Sequence, residues 1–219
     1  RGCWESELTE WQGQARAWNG MYAHDWFSGM AMWVLSDYSA NGQLRTRGAV
    51  DRFRLPNTGY HFYRAMWSAE PVLHIVGHWN CEPGETRDVA VFSNGTDVEL
   101  RLNGRSLGQG ESLAAQWPHL PRAPIVWRGV TFEPGELVAR ALFEGRVIES
   151  HLCTHGAAAA IDLELLTDCI RADGRDISYV TARVVDAGGH LCRTWDGVLC
   201  ARVDGVGRRA GPAEIEVRA

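Results

Sequence analysis

Apolar positions Trp4, Leu8, Trp11, Ala15, Trp18 and Tyr22 recur at steps of three and four, which puts them on one face of a helix. Glu5, Glu7 and Glu10 stand near the end where the helix dipole favours acids. Residues 30–35 are then continuously apolar between Gly29 and Ser36, the pattern of a strand buried on both faces, as in a parallel sheet or barrel. Residues 41–57 are polar, rich in Arg and Gly, contain Pro56 and read as a loop. Tyr60, Phe62, Tyr63, Met66 and Trp67 predict a short aromatic helix. Helix, buried strand, loop and helix is the order a β/α barrel shows near its end.

At Glu70-Pro71 the period falls to two. Residues 72–79, 88–94 and 97–102 alternate, with Asn94-Gly95 as a turn between the last two. Asn103-Gly104 is the strongest hairpin signal, because both central positions of a type I′ turn need positive φ and Asn-Gly tolerates it. Residues 125–132 and 136–143 flank Glu133-Pro134-Gly135, and residues 146–153 return after Glu144-Gly145. Short strands at intervals of about 8–12 residues with turns between them predict a β-sandwich. Residues 155–160 are a small-residue linker. Residues 161–166, 177–186 and 197–203 alternate again, as the start of a second sandwich with too few strands to close.

Composition narrows the function classes. The 219 residues suit one to three domains, and 45% hydrophobic residues can fill a core. No apolar run approaches the roughly 18 residues that span a bilayer, nothing at the start has the order of a signal peptide, and the chain reads as soluble. It begins with Arg1 and ends on the strand-like residues 213–219, which reads as a piece of something longer, so the compartment stays open. Every basic residue is Arg, the net charge is −5, and no basic run interleaves with aromatics, which argues against nucleic acid as a partner. The six cysteines form no CxxC pair and no Cys/His zinc spacing; Cys192 and Cys200 could face each other across a hairpin, but buried free thiols are the expectation. No metal, cofactor or redox role follows.

The strings from Gly29 through Trp33 to Asp37-Tyr38, then Gly48-Ala-Val-Asp51, Tyr60-His-Phe-Tyr63, Trp67, Pro71-Val-Leu-His74 and Gly77-His78-Trp79-Asn80 resemble the end of the catalytic barrel of glycoside hydrolase family 2, the β-galactosidase family. The likeness continues through Val91-Phe-Ser-Asn94, Val98-Glu-Leu100, residues 102–108, Trp127, residues 132–137 and residues 172–176, and so covers nearly the whole chain. It implies a (β/α)8-barrel remnant over residues 1–69, a complete immunoglobulin-like β-sandwich over 70–155, and a second, incomplete sandwich over 156–219. The family hydrolyses β-glycosides with retention, using two glutamates whose carboxyls stand about 5–5.5 Å apart. By the family's order both lie upstream of residue 1, so the resemblance implies no catalytic residue here and a fragment inactive alone. Glu5, Glu7 and Glu10 are first-turn acids on this reading.

Trp33 matches the aromatic residue that walls the family's sugar subsite, where a ring offers an apolar platform to the C–H face of a sugar. Asp37 and Tyr38 match the loop bordering that pocket; hydrogen-bonded anchors of the loop are the other reading. His78, with Trp79 and Asn80, matches a string on the first strand after the barrel, either as a sugar contact or as a structural residue at the seam. Tyr60, Phe62, Tyr63 and Trp67 read as core, and His74, His119, His151 and His155 have no coherent spacing. The implied partners are a β-galactoside or related oligosaccharide and the missing N-terminal part of the same chain, with no membrane and an oligomer possible. A β-glucuronidase or β-mannosidase parent stays open. The alternative function is a carbohydrate-binding or adhesion module without catalysis, which needs an exposed aromatic platform from Trp117, Trp127 or Trp195.

Overall fold

The computed structural model describes residues 2–46 and 48–217. The side chains of residues 2–9 lie outside the described residues, and with them the expected roles of Trp4, Glu5, Glu7 and Leu8. The chain divides into two compact units, Arg1–Leu152 and Cys153–Ala219.

The first unit opens with the predicted helix α1 (Gly2–Met21), whose buried stripe of Trp11, Ala15 and Trp18 follows the expected spacing. A small hairpin, β1 (Tyr38–Ala40) and β2 (Gln43–Arg45), precedes α2 (Thr58–Trp67). Eight strands follow: β3 (Leu73–Ile75), β4 (Thr86–Ser93), β5 (Thr96–Leu102), β6 (Arg105–Gln109), β7 (Glu111–Ser112), β8 (Ile125–Thr131), β9 (Glu136–Phe143) and β10 (Arg146–Cys153). They form two antiparallel four-stranded sheets in the orders β3-β4-β8-β7 and β10-β9-β5-β6.

Ile75, Val89, Val91 and Trp127 from the first sheet meet Leu100, Leu102, Leu137 and Ala139 from the second in one buried cluster, so the two sheets face each other as a sandwich. Strand alternation produces this: Val89 and Val91 face the second sheet, while Ala90 and Phe92 face the helices. The Asn103-Gly104 hairpin forms as predicted, with φ of 51° and 80°, and joins β5 to β6. Asn94-Gly95 does not close a hairpin. β4 and β5 lie in different sheets, so the turn is a corner where the chain changes layer, and a Cβ on Gly95 would come 2.6 Å from the Leu142 carbonyl.

The helices cover the outer face of the β3-β4-β8-β7 sheet. Trp18 contacts Phe62, Tyr63 and Trp67 with centroids 6.5, 5.9 and 5.0 Å apart, and Phe62 meets Phe92 edge-on at 5.6 Å. The aromatic helix is thus core at Phe62 and Tyr63, with Tyr60 half-buried and Trp67 exposed, and it packs on α1 and the sandwich. Glu10 lies well past the first turn, where its carboxylate accepts from the Gln14 amide at 3.3 Å beside Gly59 of α2. Burial, and then the Glu10 charge, push the Tyr63 phenol above its ordinary pKa.

The buried strand expected at residues 30–35 is absent. Met30 and Met32 lean on the helix cluster, whereas Trp33 and Leu35 on the other side are 79% and 67% exposed. A strand buried on both faces needs neighbours to pair with and layers to cover it. Among the described residues, 34–37 pair in parallel only with residues 49–50.

The second unit holds two antiparallel pairs, β11 (Ala158–Leu165) with β12 (Val180–Asp186) and β13 (Gly197–Cys200) with β14 (Glu214–Val217), and neither pair closes into a sandwich. One face of the first pair carries Ile161, Leu163, Leu165 and Val180, all exposed; the other carries Arg183 between Asp162 and Glu164. The expected linker is partly strand, because β11 already begins at Ala158. Of the described cysteines only Cys192 is buried, against the expectation of buried thiols, and none of Cys81, Cys153, Cys169, Cys192 and Cys200 is in a disulfide.

Candidate functional site

The segment carrying Trp33, Asp37 and Tyr38 is fixed by backbone geometry rather than by burial. Ala49 N–H donates to the Val34 carbonyl at 3.1 Å, Val50 N–H to Leu35 at 3.0 Å, and Asp37 N–H to Val50 at 3.0 Å. The Trp33–Val34 peptide bond is cis. Asp37 Oδ1 accepts from Gly48 N–H at 2.8 Å, and Asn57 Nδ2 donates to the Gly48 carbonyl at 3.0 Å. Gly48 is required there: a Cβ would come 2.4 Å from Asp37 N and from the Val50 carbonyl. Asp51 closes the next turn by accepting from Phe53 and Leu55 N–H at 2.7 and 2.9 Å.

Trp33 therefore presents its indole outward from a pinned segment. Asp37 is half-buried with one carboxylate oxygen engaged in the loop, and Tyr38, 37% exposed, starts β1. The hairpin beginning at Tyr38 escaped the sequence reading, although Asn41-Gly42, with φ of 52° and 72°, is the same turn signal as Asn103-Gly104.

His78 belongs to a different environment. It follows β3, its Nδ1 accepts from Asn80 N–H at 3.2 Å, and Glu85 stands near it. Glu85 is held below the usual carboxylate range, first by the Glu82 N–H and then by Arg87. The neighbouring Trp79 is fully buried, donates from Nε1 to the Glu133 carbonyl at 3.0 Å and meets Phe132 at 5.4 Å. The hydrogen bond of His78 to Asn80 thus lies within the sandwich's own loop.

The seam between helix and sandwich rests on Asn94, which sequence reasoning saw only as a turn residue. Its Oδ1 accepts from Val72 N–H at 2.8 Å, and its Nδ2 donates to the Ser68 and Glu70 carbonyls at 3.1 and 2.8 Å. The platform required by a binding module is not found on its three candidates: Trp117 and Trp127 are buried, and Trp195 is half-buried over Gly197. Among the described residues no three of His, Cys, Asp and Glu gather as a metal ion would need, and no helix is long and apolar enough to cross a membrane.

Residues 84–149, which run from the loop before β4 into β10, match a family described as a domain of unknown function (DUF4982). Over 197 residues the chain is 34% identical to a β-galactosidase of Bacteroides ovatus, covering 86% of this chain and 22% of that protein. Among solved structures it is similar to a β-glucuronidase from glycoside hydrolase family 2, with a TM-score of 0.71, 30% identity, and coverage of 87% of this chain and 20% of that one. The chain belongs to glycoside hydrolase family 2. A family 2 member of Bacteroides cellulosilyticus is similar at a TM-score of 0.69 and 28% identity, over 84% of this chain and 27% of that one. A β-glucuronidase of Formosa agariphila is 32% identical over 185 residues, 80% of this chain and 18% of that protein. This family 2 chain thus spans 18–22% of the length of these two curated relatives.

Proposed function

We propose that this chain is the part of a retaining β-glycoside hydrolase, of the β-galactosidase type, that supplies the last strand of the catalytic barrel and the sandwich domains bracing it. Trp33 is the sugar-facing wall of the subsite, Asp37 and Tyr38 border it, and the two carboxyls needed for retention come from the rest of the protein. The carrying observation is a large aromatic ring held outward on a pinned extended segment: Trp33 is 79% exposed while the backbone on its C-terminal side is bonded to residues 49–50. An isolated indole in water gains nothing from that placement, whereas a ring beneath the C–H face of a sugar gains apolar contact and orientation. The segment's open side, with Trp33 and Leu35 exposed, is also what a barrel strand would show in the absence of its neighbours.

The choice of a neutral galactoside over a glucuronide rests on the groups flanking Trp33. Asp37 offers a carboxylate, which accepts from sugar hydroxyls and repels a uronate, and Tyr38 a phenol that bonds a hydroxyl. The protein encoded by the reading frame that carries this chain is expected to hydrolyse p-nitrophenyl β-galactoside in preference to p-nitrophenyl β-glucuronide. The opposite preference would overturn the substrate assignment, and no hydrolysis of either would overturn the enzyme reading.

A further inference from the structure

We propose that Asn41 is a site of spontaneous deamidation, where the chain converts its own amide to aspartate or isoaspartate through a cyclic imide, and that the fold selects it from four Asn-Gly pairs. The four are Asn19-Gly20, Asn41-Gly42, Asn94-Gly95 and Asn103-Gly104. A glycine after asparagine carries no Cβ, so its main-chain nitrogen can approach the asparagine's side-chain carbonyl carbon unhindered. Whether it does depends on what holds the two groups.

Asn41 and Gly42 make the two-residue turn between β1 and β2, closed by the pairing of Ala40 with Gln43. Both are exposed. Among the described residues, neither the Asn41 amide nor the Gly42 N–H has a hydrogen-bond partner. Asn103-Gly104 is the same turn, with φ of 51° and 80° against 52° and 72°, but its amide is held at both ends. Asn103 Oδ1 accepts from Glu136 N–H at 2.9 Å, and its Nδ2 donates to the Pro134 carbonyl at 3.1 Å. Asn94 is 9% exposed with its amide bonded at the seam, and Gly95 N–H donates to Ser93 Oγ at 2.9 Å. Asn19 lies inside α1, where the Gly20 N–H belongs to the helix ladder, and its Oδ1 accepts from His119 N–H at 3.0 Å.

In the reaction, hydroxide takes the proton of the Gly42 N–H and the nitrogen bonds to Asn41 Cγ. The Cγ–Nδ2 bond then breaks; the leaving nitrogen takes a proton from water and departs as ammonia, which returns the hydroxide. Water adds to either carbonyl of the five-membered ring and opens it to aspartate or isoaspartate. Either product replaces a neutral amide with a carboxylate. Isoaspartate also adds one carbon to the main chain inside a two-residue turn, so Ala40 and Gln43 lose the register that pairs them and the hairpin starting at Tyr38 opens.

The test holds the 219-residue chain in mildly alkaline buffer and follows amide-to-acid conversion at each of the four asparagines by tandem mass spectrometry of its peptides. Asn41 is expected to convert about tenfold or more faster than Asn103, whose two side-chain bonds must break before attack. In guanidinium chloride, which removes the fold, the four sites are expected to convert at comparable rates. Gly42→Ala puts a methyl group beside the attacking nitrogen and is expected to slow conversion at Asn41, folded or unfolded, while leaving Asn103 unchanged. Equal rates at Asn41 and Asn103 in the folded chain, the same ranking in guanidinium chloride, or a rate at Asn41 untouched by Gly42→Ala would each overturn the proposal.

Discussion

Asn94 satisfies one buried donor and two carbonyls with a single amide, all in the connector that turns a helix into a strand. Replacing it with alanine leaves those groups without partners, and Asn94→Ala is expected to cost about 2–4 kcal/mol. Urea unfolding checks this, as a lowered midpoint with an unchanged slope. Asn94→Asp keeps the acceptor for Val72 but turns a carboxylate toward two carbonyls, so it is expected to be destabilised as well. Gly48 makes a steric demand rather than a polar one: Gly48→Ala places a methyl group against the backbone of residues 36–37 and 50, and the expected cost is about 1–3 kcal/mol in the same assay. Neither role was legible in the sequence. Asn94 looks like any turn residue because its partners lie 22 to 26 positions away, and Gly48 is one of 24 glycines. Trp33, by contrast, was singled out by its string context, and its exposure was not foreseen.

Among elements, those whose stability is local were readable. The apolar stripe of α1, the aromatic face of α2 and the Asn-Gly hairpin all appear where period and turn chemistry put them. The strand at residues 30–35 failed because burial on two faces depends on neighbours, which no local pattern contains. The corners at Asn94-Gly95 and Glu133-Pro134-Gly135 look like hairpin turns for the same reason, since which sheet the next strand joins is a tertiary choice. In the second unit, Asp186 ties the start of β11 to the end of β12, accepting from Gly156 N–H at 2.7 Å and from Gly188 and His190 N–H at 2.9 Å each. These bonds, that from Gly156 first, hold its carboxyl well below the usual carboxylate range. A carboxyl with a lowered folded pKa stabilises fully above its unfolded value of about 3.9, and that contribution is lost as pH falls through the lower folded value. The β11–β12 pair is therefore expected to hold from neutral pH to about pH 4 and to loosen only below it. Asp186→Asn is expected to be less stable than the parent at pH 7 and to lose less on acidification. Thermal unfolding followed by circular dichroism at pH 7, 4 and 2 measures both.

At the scale of the molecule, the unit formed by α1, α2 and the sandwich has two buried clusters, one on each side of the β3-β4-β8-β7 sheet, and its open apolar groups include Trp26, Trp33, Leu35, Phe53 and Leu55. Exposed apolar surface of this kind marks a surface that another part covers or a ligand touches. The 219-residue chain by itself is expected to show no β-glycosidase activity, since the proposed mechanism takes both of its carboxyls from elsewhere in the protein. The order of helical segment, sandwich and strand pairs was legible as a sequence of textures, while the division of the chain at Leu152 and Cys153 was visible only in three dimensions. On the proposed function, Trp33 forms the sugar wall of a hydrolase. The most direct test of this is kcat/KM on p-nitrophenyl β-galactoside for the protein carrying this chain, with and without Trp33→Ala. Losing a large apolar platform worth about 2 kcal/mol predicts a fall of roughly 30-fold with an unchanged Tm; an unchanged kcat/KM would contradict the account.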